Sequence, residues 1–212
     1  MNKEPIKILC RSSKPTDVPV LGDRITLACL KHNDVKYTGK EELEEKIFWC
    51  EENIKQAEKY AKNQQSKNTN TGKSRYSATF AEVEGKVVGW TVVHELEESE
   101  KVVPNADIEL DRIAVLPEYQ SKGVGRALWM AMIDKMRQNN QSVLQLWVAV
   151  AGPEDENGVR GKGNENAIKF YLRQGCKFMD KTRQYKSSRG IPESKLCVDR
   201  SLVLNINDVK EK

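Results

Sequence analysis

Apolar and polar residues change their spacing several times along the chain, and each spacing predicts a different element. Residues 76–83 and 86–93 alternate on either side of Glu84 and Gly85, which predicts a β-hairpin with a tight turn. From Val124 onward, apolar residues recur at three- and four-residue steps, as they do along one face of an amphipathic helix. The same patterns predict strands at 6–10, 107–115, 142–150, 176–179 and 197–206, and helices at 16–30, 38–61 and 164–175.

The strand predicted at 107–115 contains an irregularity. Its apolar residues are even-numbered up to Leu110 and odd-numbered from Ile113, so the inward and outward positions exchange between these two residues. A single extra residue in a strand produces such an exchange. We therefore predict a β-bulge near Asp111 and Arg112.

Length and composition bound the class of protein. The chain has 212 residues, of which 38% are hydrophobic and 31% charged, and this suits a single globular domain over residues 1–212. Polar stretches at about 62–75, 151–163 and 181–195 are expected to be flexible loops within that domain. The net charge of +4 is explained by solubility more readily than by a cofactor or an acidic partner, and we expect no nucleic-acid partner.

Cysteine usage and the lack of long apolar runs indicate where the protein works. No run of apolar residues approaches the roughly 18 that a membrane helix needs, and the first residues do not form a signal-peptide core. The 5 cysteines are odd in number and have no paired spacing, which is typical of free thiols in a reducing compartment. We expect an intracellular protein without a membrane partner, cytoplasmic in the first place, with a nuclear location left open.

A glycine loop joins the strand at 107–115 to the helix that follows it. Small residues let a backbone approach phosphate oxygens, the first-turn N–H groups of a helix have no intrahelical partner, and the helix dipole favours negative charge there. Lys122 and Arg126 add cations at the same end of the helix. The loop around Gly123 and Gly125 is therefore predicted to bind a phosphate group.

Three phosphate-binding patterns compete for this loop. The dinucleotide fingerprint requires a small third residue where the chain has Leu128, and an acid about twenty residues on, where it has Gln145. A Walker loop requires a glycine where Lys67 stands, ahead of Gly72-Lys73-Ser74. The third pattern, Gln/Arg-x-x-Gly-x-Gly/Ala after a strand, fits residues 120–125 fully.

The segment Gln120-Ser121-Lys122-Gly123-Val124-Gly125 resembles the pyrophosphate loop of the GCN5-related N-acetyltransferases (the GNAT superfamily). A second block, residues 164–178, has the pattern Asn-x-x-Ala-x-x-x-Tyr-x-x-x-Gly of that family, with Cys176 where phenylalanine is common. Together with the order of elements, the resemblance covers about residues 6–206.

This resemblance implies a fold and a donor. The expected fold is α/β (mixed α+β), with a central, mixed, mostly antiparallel sheet of about six to seven strands. About four helices would flank the sheet, which would be splayed between its fourth and fifth strands. The donor would be acetyl-CoA, and no metal is implied.

The resemblance also implies how the donor is held. Backbone amides of residues 120–126 would bind the pyrophosphate, Ala114 and Val115 would contact the pantetheine arm, and the Asn164 side chain would contact CoA. A backbone N–H among residues 113–115 would face the carbonyl oxygen. The expected cofactor-binding residues are Ile113, Ala114, Val115, Gln120, Ser121, Lys122, Gly123, Val124, Gly125, Arg126, Asn164, Ala167 and Tyr171.

Acyl transfer to an amine requires a base for the proton of the amine and an acid for the departing thiolate. The family motif places a tyrosine beside the CoA sulfur, so Tyr171 is the expected acid, although a core aromatic would suit the same helix position. Glu109 aligns with the base of histone-type members, and an exposed acidic edge is the alternative. Asp107 and Asp111 would share its face on a regular strand and raise its pKa. Trp147 stands where other relatives carry a glutamate on the fifth strand.

Other chemistries are less well supported. In sequence, Cys176 has no neighbouring histidine to activate it as a nucleophile, and the isolated His32 and His94 do not form a metal-ligand set with the scattered cysteines. We therefore expect an N-acetyltransferase, a monomer or homodimer, in which the amine attacks acetyl-CoA directly in a ternary complex. The expected acceptor is a small-molecule amine. A protein acceptor (lysine or N-terminus) and a non-catalytic acyl-CoA-binding module remain alternatives.

Overall fold

The computed structural model of this chain describes residues 6–12, 75–154, 160–185 and 197–209. The chain divides into two compact units: Met1–Glu95 with Asp111–Gln138, and Leu96–Leu110 with Asn139–Lys212. The helices predicted at 16–30 and 38–61, and nearly all of the loop predicted at 62–75, lie outside the described residues. The single domain over residues 1–212 stays a prediction.

The first unit contains an antiparallel meander. Strands β1 (Leu9–Ser12), β2 (Tyr76–Val83) and β3 (Lys86–Glu95) pair in sequence order. Between β2 and β3, Glu84 has a φ of 52° and Gly85 a φ of 75°. Positive φ at both central residues is what a two-residue type I′ hairpin turn requires, so the predicted hairpin is confirmed.

Helix α1 (Val124–Gln138) packs against β2 and β3 in the same unit. The predicted amphipathic helix is confirmed, but its buried stripe is wider than the apolar spacing suggested, since a tryptophan and an isoleucine join it. Ala127 and Ala131, which the spacing placed on the stripe, are only half-buried. The buried residues of the helix are Val124, Leu128, Trp129, Met132, Ile133 and Met136.

Gly89 sits where β3, β4 (Ile108–Val115) and α1 approach one another most closely. A Cβ atom at this position would lie 2.9 Å from the carbonyl oxygen of Ala114 and 3.1 Å from Cδ1 of Leu128. The first distance is below a van der Waals contact and involves backbone, so a larger residue would push the strands apart. Glycine here therefore sets the close packing of the helix on the sheet.

The second unit is built on β5 (Val143–Glu154). This strand pairs in parallel with the first residues of β4, from Ile108↔Leu144 to Leu110↔Leu146, and antiparallel with β8 (Cys197–Asn205). In turn, β8 pairs antiparallel with β7 (Lys177–Tyr185). The sheet is thus mixed and mostly antiparallel, as predicted, and the β4–β5 ladder ends at Leu110↔Leu146 although both strands continue.

Two predicted loops were partly wrong. β5 continues to Glu154 and a short strand, β6 (Arg160–Lys162), pairs with it, inside the stretch predicted as a loop at 151–163. β7 runs on to Tyr185, inside the loop predicted at 181–195. Both extensions are held by backbone hydrogen bonds to a neighbouring strand, which polar residues form as readily as apolar ones.

Helix α2 (Glu165–Arg173) begins and ends as predicted, since Asn164 caps it and Gly175 follows it with a φ of 93°. The prediction of which residues of α2 face inward was only partly right. Tyr171 is buried, whereas Leu172 is 44% exposed. Among the described residues, no helix has the length and apolar content to span a membrane.

Candidate functional site

The glycine loop lies between β4 and α1, after a 3-10 turn at Pro117–Tyr119. The φ angles of Ser121 (58°) and Gly123 (87°) are positive, and both residues are exposed. Ala127 donates to the carbonyl oxygen of Gly123 at 2.9 Å, so the N–H groups of residues 124–126 precede the first helical hydrogen bond. The loop therefore presents a curved backbone whose N–H groups at residues 124–126 have no acceptor within the helix, which suits a phosphate oxygen.

The space beside Gly123 is nearly empty among the described residues. A Cβ at Gly123 would contact only Cδ1 of Ile8, at 3.8 Å. The ammonium group of Lys122 lies 5.4 Å from the ring centre of Tyr119, so it stays near the loop, and Arg126 is exposed one turn into the helix. The predicted residues Ser121, Lys122, Gly123, Gly125 and Arg126 are thus brought together at the start of α1.

Gln120 is bonded within the protein, whereas Val124 keeps its backbone for the expected contact. The backbone N–H of Gln120 donates to the carbonyl oxygen of Pro117 at 3.1 Å, so it is not available for pyrophosphate. Its side-chain Nε2 donates to the carbonyl oxygen of Val115 at 3.0 Å, which fixes the loop to the end of β4. The Val124 side chain is fully buried, and only its backbone faces the loop.

The contacts of β4 show the predicted change of parity. β2 and β3 pair without interruption over residues 89–94, so His94 and Gly89 point to opposite faces. Asp111 bonds to His94, with 3.0 Å between Oδ2 and Nδ1, while Cγ2 of Val115 would lie 3.3 Å from a Cβ on Gly89. Residues four apart on a regular strand share one face. The alternation therefore slips by one between Asp111 and Val115, the interval in which the bulge was predicted.

The predicted pantetheine contacts lie just after this slip. Ala114 is buried in the core of the first unit, and Ile113 and Val115 are half-buried against the same cluster. The backbone of Val115 accepts the Gln120 side chain through its carbonyl oxygen. The oxyanion donor expected among residues 113–115 stays a prediction.

Glu109 is held by a buried amide in the second unit. It pairs with Gln145 across the β4–β5 ladder, and Nε2 of Gln145 donates to Oε2 of Glu109 at 2.6 Å. The same nitrogen donates to the carbonyl oxygen of Glu100 at 3.1 Å, and Oε1 accepts from the N–H groups of Val102 (3.1 Å) and Val103 (3.3 Å). Gln145 is 0% exposed and has all its hydrogen-bonding capacity used, so it is a fixed support for Glu109.

The two aspartates beside Glu109 are both engaged by other groups. Oδ2 of Asp107 accepts from the backbone N–H groups of Ser142 (2.6 Å) and Val143 (2.9 Å), and ties the start of β4 to the start of β5. Asp111 is paired with His94, and their side chains are 18% and 11% exposed. Asp107 and Asp111 are thus held by other groups, and Glu109 is the acid that is bonded to Gln145.

Tyr171 lies in the buried part of α2, 7% exposed. Burial, and next the charge of the nearby Cys176 thiol, raise the pKa of Tyr171 above its ordinary value of 10.0. The phenol is therefore a neutral O–H donor at physiological pH. Burial also raises the pKa of Cys176 to about 12, so its thiol stays protonated and is a poor nucleophile, as expected.

The start of α2 is fixed on β5 by a glycine. A Cβ on Gly163 would lie 2.4 Å from the carbonyl carbon of Val150 and 2.5 Å from the carbonyl oxygen of Ala149. The N–H of Asn164 donates to that oxygen of Ala149 at 2.8 Å, and its Oδ1 accepts from the N–H of Ala167 at 3.1 Å. Asn164 and Ala167 are thus joined to each other as a helix cap, and the contact of the Asn164 side chain with CoA stays a prediction.

The predicted residues are divided between the two units. The glycine loop and residues 113–115 belong to the first, and Glu109, Asn164, Ala167 and Tyr171 to the second. Gln145 and Gly163 were not predicted to matter. Gln145 could have been noticed as a lone polar residue between Leu144 and Leu146, whereas no local pattern marks Gly163.

Comparison with known proteins identifies the family. The sequence model of the Acetyltransferase (GNAT) family matches residues 40–176. This is more than half of the chain, and it includes the glycine loop and the whole of α2. The chain belongs to the acetyltransferase (GNAT) family. No curated protein sequence is significantly similar to it.

Solved structures share the fold at low sequence identity. The ribosomal-protein-S18-alanine N-acetyltransferase of Escherichia coli is 19% identical with a TM-score of 0.57, over 97% of this chain and 98% of that one. The PaiA N-acetyltransferase of Thermoplasma acidophilum, solved with coenzyme A, is 16% identical with a TM-score of 0.59, over 92% and 98%. The yncA protein of Salmonella typhimurium, solved with its cofactor acetyl-CoA, is 13% identical with a TM-score of 0.54, over 96% of each chain. The chain therefore has the GNAT fold.

Proposed function

We propose that this acetyltransferase uses acetyl-CoA to acetylate a primary amine, with a small-molecule amine as acceptor. The observation that carries the proposal is the glycine loop, where Ser121 and Gly123 with positive φ precede the first helical hydrogen bond of α1. Two structures of the same fold contain coenzyme A or acetyl-CoA. The N–H groups of residues 124–126, together with Lys122 and Arg126, suit the pyrophosphate of CoA.

Titration calorimetry with acetyl-CoA and with CoA tests the donor. The variant Gly123→Glu places a bulky carboxylate in the loop and is expected to abolish binding. Gly85→Glu is its matched control, because Gly85 also has a positive φ (75°) with no atom within 4 Å of a Cβ, but lies in the β2–β3 turn. Both variants carry a similar backbone strain. Loss of binding in both, or in neither, would contradict the assignment of the loop.

Catalysis would be shared by two side chains of the second unit. The amine nitrogen attacks the thioester carbonyl carbon, an N–C bond forms, and the C–S bond breaks. Glu109, held by Gln145, would take the proton of the amine directly or through water. Tyr171, whose raised pKa keeps it protonated, would give its proton to the departing sulfur. Asp107 and Asp111 would take no part, since both are bound by other groups.

Substitution separates these roles from donor binding. Glu109→Gln and Tyr171→Phe are each expected to lower turnover by roughly 10²–10⁴-fold at neutral pH, the usual contribution of a general acid or base. The affinity for CoA should change little, because neither substitution alters the glycine loop. Unchanged turnover in either variant would refute the role of that residue.

A protein acceptor is the competing assignment. The E. coli protein of the same fold is, by its name, an N-acetyltransferase of an alanine in a ribosomal protein. At 19% identity, this likeness supports the fold alone. A thiol-release assay over a panel of small amines, lysine peptides and peptides with free N-termini distinguishes the two. Turnover confined to peptides would replace the small-molecule assignment, and tight CoA binding without any thiol release would indicate a binding module.

A further inference from the structure

One face of the second unit carries an arginine held in a fixed position. Asp199 of β8 pairs with Ala149 of β5 on one side and with Arg183 of β7 on the other. Nε of Arg183 donates to Oδ2 of Asp199 at 3.1 Å. The guanidinium carbon lies 4.3 Å from the ring centre of Trp147, which is on the same face of β5 as Ala149. An anchored Nε and an aromatic platform together fix the plane of the guanidinium group.

The fixed guanidinium presents its outer edge to solvent. Asp199 is 8% exposed at its side chain, whereas the Arg183 side chain is 47% exposed. Burial raises the pKa of Asp199, and the hydrogen bond and charge of Arg183 oppose that rise. Within the described part of the chain, Nη1 and Nη2 of Arg183 make no hydrogen bond, so this end of the fork is open. Two parallel N–H donors on one rigid plane match the two oxygens of a carboxylate.

Glu109 is hydrogen-bonded to a residue of this same face. Gln145 and Trp147 alternate regularly on β5 and share one face of the strand, and Glu109 is bound to Gln145. The segment with Val102 and Val103 covers this face at Gln145, which is 0% exposed. The face becomes more open at Trp147, which is half-buried. A molecule lying along β5 would meet the carboxylate of Glu109 first and the guanidinium of Arg183 next.

We propose that Trp147, Arg183 and Asp199 form the subsite for a carboxylate group on the acceptor, so that the acceptor is an amine with an acid group. This inference rests on the proposed function, because it assigns the amine of the same molecule to Glu109. A fixed arginine repels a purely cationic amine but complements one whose far end is negative. Gln145 and Trp147 lie two residues apart on β5, roughly 7 Å. Glu109 and Arg183 lie beyond them on the neighbouring strands, so this spacing is the shortest separation of the amine and the acid.

Matched pairs of acceptors test the subsite. A series of ω-amino acids from glycine to 6-aminohexanoate, each beside its carboxamide, keeps the amine and changes only the acid. The unmodified protein is expected to prefer the acid, with the longer members favoured. Arg183→Gln is expected to lower kcat/KM for the acids by about ten- to hundredfold, and to leave the amides nearly unchanged. Arg183→Lys should behave like Arg183→Gln in large part, because lysine lacks the planar fork.

Two controls separate recognition from a structural role. Arg137→Gln removes a half-buried arginine of α1, paired with Asp134, and should leave the preference for acids intact. A thermal midpoint and a CoA affinity near those of the unmodified protein show that Arg183→Gln is folded. Equal losses for acids and amides in Arg183→Gln, or no preference for acids in the unmodified protein, would overturn the inference.

A binding measurement keeps this inference separate from the proposed function. Tryptophan fluorescence is followed while 6-aminohexanoate or its amide is added, with Trp147→Phe to identify the signal. Binding that is selective for the acid and is abolished by Arg183→Gln supports the subsite. If no acetyl group is transferred in that case, the proposed function is refuted and the subsite is not. Transfer to amines with acid and amide bound equally refutes the subsite alone. The source of the carboxylate is resolved by comparing free amino acids with peptides that carry an acidic residue beside the amine.

Discussion

Gln145 is the position at which a single substitution is expected to reveal most about the support of Glu109. Gln145→Leu keeps the size of the side chain and removes every polar atom. Two backbone N–H groups, those of Val102 and Val103, then lose their acceptor, and Glu100 and Glu109 lose a donor. Of these, the bond of Val103 is the one in a fully buried setting, so water cannot replace it.

The cost follows from these four bonds. We take ~1–3 kcal/mol for the orphaned N–H of Val103, and ~0.5–1.5 kcal/mol for each of the other three groups, which lie nearer to solvent. The apolar leucine side chain returns ~1–2 kcal/mol through burial. The net loss is about 1–6 kcal/mol, set against the roughly 5–15 kcal/mol that stabilises a typical domain. For a chain of this length, Tm decreases by roughly 2–4 °C for each kcal/mol of this loss.

Urea unfolding followed by circular dichroism measures the loss, and hydrogen exchange locates it. The amides of Val102 and Val103 should exchange slowly in the unmodified protein and quickly in Gln145→Leu. Gln138→Leu, the same change at an exposed position of α1, should alter stability by no more than about 0.5 kcal/mol. Gln145→Glu keeps the acceptor oxygen and should protect both amides while it repels Glu109. A protected Val103 amide in Gln145→Leu would refute the role of this hydrogen-bond network.

Three further predictions concern other parts of the second unit. Gly163→Ala brings a Cβ within 2.4 Å of the carbonyl carbon of Val150, and it should cost ~1–3 kcal/mol or more in urea unfolding; a neutral effect would contradict the close contact. Asp107→Ala removes the acceptor of the Ser142 and Val143 N–H groups and should destabilise the protein by ~2–4 kcal/mol without weakening CoA binding in calorimetry. Cys176, whose pKa burial raises from 9.0 to about 12, keeps a proton in the folded state that the unfolded chain releases, so its contribution makes stability fall by up to ~1.4 kcal/mol per pH unit as pH rises from 9 towards 12. Cys176→Ala should show a shallower fall in that range, and parallel pH profiles for both proteins would disprove it.

Elements with a strong local pattern were predictable from the sequence. The hairpin turn at Glu84 and Gly85 needs positive φ at both residues, and the glycine in the sequence indicates such a turn. The cap of α2 was marked by Asn164 and the end by Gly175. The slip in β4 was visible because its apolar residues change parity, and the contacts of Asp111 and Val115 show the same change.

Features that depend on distant partners were not predictable in this way. The continuation of β7 through residues 181–185 relies on backbone pairing with β8, and the exposed side chains of residues 181–184 give no strand signal. Asp107 bonds to residues 35 and 36 positions away. Gln145 reaches 42 and 43 positions back to Val103 and Val102. A short window of sequence contains none of these partners. The sequence therefore suggested that Asp107 acts on Glu109, although the carboxylate of Asp107 is bonded to the start of β5.

The slip between Asp111 and Val115 makes the number of residues in β4 as important as their identity. Deleting one residue between them would restore strict alternation, so that Asp111 turns away from His94 if Val115 keeps its place beside Gly89. A scan of single-residue deletions should therefore find this stretch of strand intolerant, while conservative substitutions at Arg112 or Ile113 survive. Over evolutionary time, such a strand is free to drift in composition but not in length.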